Sequence, residues 1–393
     1  MKGKSRLVKW SLMSGSALLV LAVVLGIWIP SYIKKAVNDR LQNVPDYKAT
    51  YTDIDVTVWK GAYVIHKLQL AKPTTNIPVP FFRAEKIKFS IDWNSILSSS
   101  VVCNVSIENP IINFVRGPSE STSQTNLNGE WIAVLHSLTP VPINNFSTVQ
   151  GAIWFRDFHS FPKIEVVIDN ITLSGSNLRN QDEKESILPA SITGKGNAYN
   201  GDIALHLALN PLQSQPLFEM NASLTGVSLV KLGDFLKVYY NLNITKGSLD
   251  IHHISKVTNA TVQGSVKTFV NNVSASQYKT LNKNSQQIRT DSLFELASWR
   301  SSSNHPANDS LVIEGKIREY SGDMWSLIGE TLTYAFNCSI RSSLEQSVKT
   351  KAQRTKRSLK TTDSAHSKEP EKKKGFLEKL FGKKDDKEKK SKN

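Results

Sequence analysis

The sequence predicts a mainly β fold with a few helices, preceded by one transmembrane helix and followed by a disordered basic tail. Three observations carry this reading. Apolar and polar residues alternate strictly in many short runs from Tyr51 onward. One uncharged stretch, residues 10–33, is long enough to cross a bilayer. After residue 348 the composition turns lysine-rich and loses its apolar periodicity.

The chain has 393 residues and a formal net charge of +15. That charge sits at the two ends. Residues 1–40 carry seven basic residues and one acidic, and residues 349–393 carry seventeen and seven. The intervening 308 residues have 25 basic and 26 acidic side chains. This near-neutral body offers no clustered Lys and Arg for a phosphate backbone, so no nucleic acid is expected as a partner. Two cysteines, Cys103 and Cys338, exclude a disulfide scaffold and a cysteine-based zinc site.

Taken in order, residues 1–9 read as a cytoplasmic N-terminus and residues 10–33 as an uncleaved anchor. The anchor spans about 36 Å as a helix. Trp10, Trp28 and Tyr32 stand near its ends, where amphipathic rings prefer the interface. A cleaved signal peptide is the rival, but the apolar stretch is long for one and no small-x-small site follows it. Residues 34–46 read as a helix continuing out of the membrane. The folded body, 47–348, is expected on the far side, because long domains translocate largely regardless of charge. Nine Asn-x-Ser/Thr sequons occur, at Asn104, Asn145, Asn170, Asn221, Asn243, Asn259, Asn272, Asn308 and Asn337. In a chain this rich in Asn, Ser and Thr they do not choose between a eukaryotic lumen and a bacterial periplasm.

Within the body, Ile54, Val56 and Val58 alternate with Asp53, Asp55 and Thr57 until Gly61 breaks the run. Ile87/Phe89/Ile91/Trp93, Val101/Cys103/Val105/Ile107, Ile164/Val166/Ile168, Ile203/Leu205/Leu207/Leu209 and Phe218/Met220/Ala222/Leu224 repeat the pattern. Period two gives each strand one apolar and one polar face. Gly, Asn, Pro and Ser clusters separate the runs, and Pro118–Asn128 reads as a mobile loop. Two helices interrupt the strands. Ser228 is expected to cap one carrying Leu229, Leu232, Leu236 and Tyr239. The other is expected from Asp323 to Leu344, with Trp325, Ile328, Leu332, Ala335 or Phe336, and Ile340 as its stripe.

Particular segments resemble the AsmA-like envelope proteins, in a subgroup known only as a domain of unknown function. They are Tyr47-Lys-Ala-Thr-Tyr-Thr-Asp-Ile-Asp-Val56, Trp59-Lys-Gly-Ala-Tyr63, Leu68-Gln-Leu70, Ile87-Lys-Phe-Ser-Ile-Asp-Trp93 and Ile107-Glu-Asn-Pro-Ile111. Ala222-Ser-Leu-Thr-Gly-Val-Ser-Leu229, Leu236-Lys237, Lys246-Gly-Ser-Leu-Asp250 and Ile313-Glu-Gly-Lys-Ile317 extend the likeness, followed by Asp323, Trp325, Leu332, Ala335 and Phe336. It covers about residues 10 to 345. Residues 276–312 depart from the pattern, and Thr333-Tyr-Ala-Phe336 replaces the family's Arg-Asn-Ala-Phe run. The resemblance implies a bacterial inner-membrane protein with one span, a cytoplasmic N-terminus and a periplasmic body. It also implies a long antiparallel sheet curled into a half-open groove with an apolar inner face, along which phospholipid passes.

The strand pattern supplies matching physics. A sheet with one apolar face must cover it, close on itself or fill it with ligand. A trough would hold acyl chains, with Ile54, Val56, Phe89, Ile91, Leu205 and Leu207 as its lipid-facing set. The alternative is a filled core without lipid, in a structural or interaction scaffold whose partners are other envelope proteins. Sixteen to eighteen strands at about 4.8 Å would give a trough of roughly 80 Å, which suits a loader or one module of an assembly.

Enzymatic chemistry and cofactors are not expected. The eight histidines show no metal-ligand spacing, and GxSxG, GxGxxG, HExxH and the P-loop are absent. Asp53 and Asp55 share a strand face, which reads as a solvated face rather than an acid/base or metal pair. Cys103 and Cys338 read as two buried thiols. In the tail, Phe376, Leu377, Leu380 and Phe381 share one face of a short helix (375–382) flanked by Lys372, Lys373, Lys374, Lys383 and Lys384. Such a segment suits the surface of an anionic membrane.

Overall fold

A computed structural model describes residues 26, 28–44, 47–73, 77–91, 102–119, 122–124, 143–178, 187–211, 213, 215–258, 261–277, 300–301, 310–316 and 324–340. Fifteen strands form a single sheet. They are β1 (Lys48–Thr50), β2 (Asp53–Thr57), β3 (Ala62–Ala71), β4 (Phe82–Ile91), β5 (Cys103–Glu108), β6 (Ile111–Arg116), β7 (Ile143–Asp157) and β8 (Ile164–Ser176). Then follow β9 (Ala190–Ala198), β10 (Gly201–Leu209), β11 (Phe218–Ser228), β12 (Leu242–Thr258), β13 (Thr261–Gln277), β14 (Arg300–Ser301) and β15 (Ser310–Lys316). The order is β1-β3-β4-β5-β7-β8-β9-β10-β11-β12-β13-β15-β14, with β2 paired to β3 and β6 to β4 and β7. Three helices accompany it among the described residues: α1 over residues 28–42, α2 (Gly233–Tyr240) and α3 (Met324–Ile340).

The mainly β expectation holds, but the sheet is not wholly antiparallel. Both β5 and β6 run parallel to β7. They are two halves of one line: Lys86 faces Glu108 and Phe82 faces Ile112 across β4, a single register interrupted at Asn109–Pro110. Pro110 has no N–H for the ladder and Asn109 takes φ 50°, so the strand breaks there without changing course. A parallel neighbour needs a long crossover. The chain between Arg116 and Ile143 supplies it, where the sequence shows only a Ser/Thr-rich loop. Thirteen strands lie along the main path, or roughly 60 Å before twist.

Period-two alternation becomes one continuous apolar face. Ile87 and Phe89 of β4 face Ile107 and Val105 of β5. Phe146 of β7 faces Gly175 of β8, which faces Ile192 of β9; Ile192 faces Leu207 of β10, and Leu207 faces Met220 of β11. Helix α1 covers this face at its N-terminal end, α2 packs across it against β12 and β8, and α3 packs on β12 and β13. Under α1, Val37, Leu41 and Val44 seal an N-terminal cluster with Ile54, Ile65, Leu68, Ile87, Phe89, Val105 and Ile107. Under α2 and α3, a C-terminal cluster gathers Leu207, Leu209, Phe218, Met220, Leu236, Tyr240, Leu249, Val257 and Ile340, among others. Phe146 packs against both clusters.

The first internal helix starts later than expected. Ser228 does not cap it: its N–H bonds to the Tyr199 carbonyl, and the next N–H bonds to Gly247. The chain stays tied to the sheet through Leu229, so the helix begins at Gly233 with Leu232 at its N-cap. Leu229, Leu232 and Leu236 are buried as their spacing requires. The α3 stripe also stands, with Ile328, Ala335 and Ile340 buried and Trp325, Leu332 and Phe336 packed at the cluster's margin. Its expected cap, Asp323, and the residues after Ile340 lie outside the described residues.

The anchor expectation falls largely there too. Its last residues, 28–33, open α1. No helix among the described residues is long and apolar enough to cross a membrane.

Candidate functional site

Between the two helix-covered clusters, the apolar face is only half buried. Ile153 of β7, Val166, Ile168 and Leu173 of β8, Ile203 and Leu205 of β10, and Leu224 of β11 are all partly accessible, with Val166, Leu205 and Leu224 packed at the margin of the C-terminal cluster. Glycines shape this strip. Gly194 and Gly196 of β9 occupy two successive apolar-face positions, between Ile192 and Ala198. A Cβ on Gly194 would lie 2.6 Å from Leu173 Cδ2, and one on Gly196 would meet Ile171 and Ile168 at 3.3 and 3.4 Å. The neighbouring side chains therefore lean over bare backbone. The sheet keeps apolar chemistry here without the bulk that would fill the space above it.

The sequence-predicted residues divide between the two clusters and the strip. Ile54 and Phe89 are 2% and 1% exposed in the N-terminal cluster, where Phe89 stacks on Tyr63 at 4.7 Å. Val56 packs at that cluster's margin and Ile91 is half buried. Leu207 is sealed in the C-terminal cluster, while Leu205, two residues earlier, is half buried at that cluster's margin. The basic tail, with Lys372, Lys373, Lys374, Phe376, Leu377, Leu380, Phe381, Lys383 and Lys384, lies outside the described residues.

The opposite face of β8–β11 is polar and forms an open concavity of about 530 Å3. Thr172, Ser174, Thr193, Lys195, His206, Asn221 and Ser223 line it, and Gly194, Ala204 and Leu205 also border it. His206 thus sits on the polar side, as its alternation requires.

Polar chemistry elsewhere is structural. Asp53 accepts from the Ile54 N–H at 2.7 Å and pairs with Lys34 at 3.4 Å; the backbone bond, ahead of the lysine, holds its carboxyl below the usual range. Asp55 pairs with His66 at 2.9 Å. Both carboxylates are well exposed, and no group of three metal-ligating side chains occurs among the described residues. Cys103 and Cys338 are both buried, one in each cluster.

Sequence reasoning missed a buried polar seam under α3. His253 and Ser255 of β12 and Thr268 of β13 occupy apolar-face positions yet are 1–2% exposed. His253 Nε2 lies 3.1 Å from Ser255 Oγ, and its Nδ1 has no side-chain partner among the described residues. Burial holds the imidazole neutral by lowering its pKa to about 4, against a smaller opposing effect of a backbone bond with Ser265. Thr268 donates to Ser339 of α3 at 2.8 Å, and Tyr240 of α2 donates to Asn337. The signal available was the run Leu249-Asp-Ile-His-His-Ile-Ser-Lys-Val257, in which His253 and Ser255 fall in phase with Leu249, Ile251 and Val257.

At the far end of β7, Asp157 accepts from the N–H groups of His159 and Ser160 at 2.9 and 3.0 Å and from the Tyr239 hydroxyl at 2.7 Å. Burial, then this carboxylate, push the Tyr239 phenol well above its ordinary pKa. The Arg116 guanidinium lies 5.3 Å from the ring centre. This knot fixes α2 to the sheet.

Compared with known proteins, the chain matches no family model and no curated relative.

Proposed function

We propose that this chain is a non-enzymatic, membrane-anchored envelope protein of the AsmA-like kind, whose sheet holds phospholipid acyl chains along the strip between its two covered clusters. Residues 10–33 are its single span in the bacterial inner membrane, with the body in the periplasm. Its role is lipid handling in envelope homeostasis, with other envelope proteins as partners. The observation that supports this most is the half-buried apolar strip at the margin of the C-terminal cluster, where Leu173 and Leu205 flank the bare backbone of Gly194 and Leu224 continues the face. Apolar surface left uncovered on a continuous face marks an interaction site. Each acyl methylene buried there contributes about 0.8 kcal/mol. The half-open groove implied by the resemblance has the same need for an apolar inner face that the helices do not fully seal.

The sealed positions of Ile54, Phe89 and Leu207 favour a second reading, a scaffold with a filled core and no lipid. One experiment separates the two. The full chain and its Leu205→Glu variant are purified in the same detergent, and bound lipid is extracted and quantified by mass spectrometry. The carrier reading predicts about one phospholipid more per wild-type chain than per variant, both being folded by circular dichroism. Equal lipid content, with both proteins folded, would leave the scaffold reading standing.

A further inference from the structure

Trp59 is 82% exposed at the centre of the single 3₁₀ turn Val58–Lys60, which Gly61 closes in the left-handed region at φ 55°. An indole is the largest apolar side chain, and here it has no ring partner among the described residues. Its position explains why. Along α1 and β2 the contacts run in step: Tyr51 donates to Asn38 at 2.7 Å, and Lys34 pairs with Asp53 at 3.4 Å. Moving along the chain from Tyr51 to Asp53, the first residue of β2, therefore moves down α1 from Asn38 to Lys34. Continuing in the same direction leads to Trp59, about 20 Å beyond Asp53, and along α1 to Tyr32 and Trp28, about 9 Å beyond Lys34. Those two rings stack at 5.4 Å, and each is 60% exposed. Three exposed aromatic side chains thus stand at the end of the body from which the apolar stretch 10–33 departs. The exposed Lys34, Lys35 and Lys60 accompany them.

This is the composition that suits a membrane–water interface, where indole and phenol rings lie at headgroup depth and lysines meet anionic lipid. We propose that the Val58–Lys60 turn is a second membrane contact, in which Trp59 enters the headgroup layer of the bilayer that holds the anchor. The inference rests on the reading of residues 10–33 as a membrane span. With helix and turn both seated, the sheet is held at a fixed tilt and its first strands abut the bilayer.

The test uses the full chain carrying Lys60→Cys, labelled with an environment-sensitive nitrobenzoxadiazole dye. Both native cysteines are buried. The protein is reconstituted into vesicles of phosphatidylethanolamine and phosphatidylglycerol containing a phospholipid spin-labelled near its headgroup. The control is Phe161→Cys, 98% exposed beyond the far end of β7. Quenching at position 60 is expected to exceed that at position 161 by about threefold, and adding Trp59→Ala should remove at least half of the difference. Equal quenching at the two positions, in protein that floats with the vesicles, overturns the inference and leaves the anchor standing. Protein that does not float with vesicles at all overturns the anchor reading and this inference together.

Discussion

The ring of Phe146 lies over the bare Cα of Gly175, its register partner on β8; a Cβ there would stand 2.2 Å from the ring. Phe146 is also the side chain that packs against both apolar clusters. Replacing Gly175 with alanine should therefore strain the junction of the two halves. Overpacking of this kind costs about 1–3 kcal/mol. Urea denaturation of Gly175→Ala should show that loss, and the double variant with Phe146→Leu should recover part of it. A Gly175→Ala protein as stable as wild type would mean that the ring moves aside freely.

Leu205 and Leu207 lie two residues apart on one strand face but differ in cover. Leu207→Glu buries an unpaired carboxylate in the C-terminal cluster and should abolish folding, since the cost is several kcal/mol. Leu205→Glu can turn its carboxylate to solvent and should cost about 1–2 kcal/mol. Thermal melts of the two variants check the difference. Equal damage from both would mean that the strip is part of a filled core.

His253 makes stability depend on pH. Its imidazole titrates at about 4 in the fold and near 6.5 when unfolded, so between those values only the unfolded chain binds the proton. Stability is then full above about pH 6.5 and falls as the pH drops towards 4, by up to roughly 3 kcal/mol at the lower limit. Urea midpoints at pH 7.5 and 5 should differ for the wild type, and His253→Leu should reduce that difference. An unchanged difference would place the responsible group elsewhere.

Tyr239→Phe removes the hydroxyl that donates to the buried Asp157 carboxylate. A hydrogen bond to a charged acceptor contributes about 1.5–3 kcal/mol. The variant should lose about that much stability while Asp157 keeps its two backbone donors. Hydrogen exchange should show the loss concentrated in α2 and the adjoining end of β7. A uniform change across the sheet would contradict the role of this bond in fixing the helix.

Alternation along the chain revealed the strands because one face of the sheet is continuously apolar, from Ile87 to Met220. It also placed Leu205, Leu207 and His206 on the correct sides. It did not reveal which stretches the helices cover. Leu205 and Leu207 look alike in sequence, and only the packing of the folded chain separates them, Leu207 within the C-terminal cluster and Leu205 at its margin. The parallel crossover into β7 was hidden because strand direction leaves no mark on period two, and Asn-Pro has the composition of a turn as much as of a break within one line. The polar seam at His253, Ser255 and Thr268 is hard to see in sequence because its members are polar side chains that keep the phase of their apolar neighbours. Gly194 and Gly196 escaped for the converse reason: they hold apolar-face positions without an apolar side chain.

The central claim is that acyl chains lie on the strip between the two clusters. The most direct measurement puts a photo-crosslinking benzoylphenylalanine at position 205 of the full chain in living cells, with position 206 on the opposite face as the control. After irradiation, intact-mass analysis of the purified protein should show phospholipid adducts at 205 and none at 206. Adducts absent from both positions, or equal at both, would contradict the account.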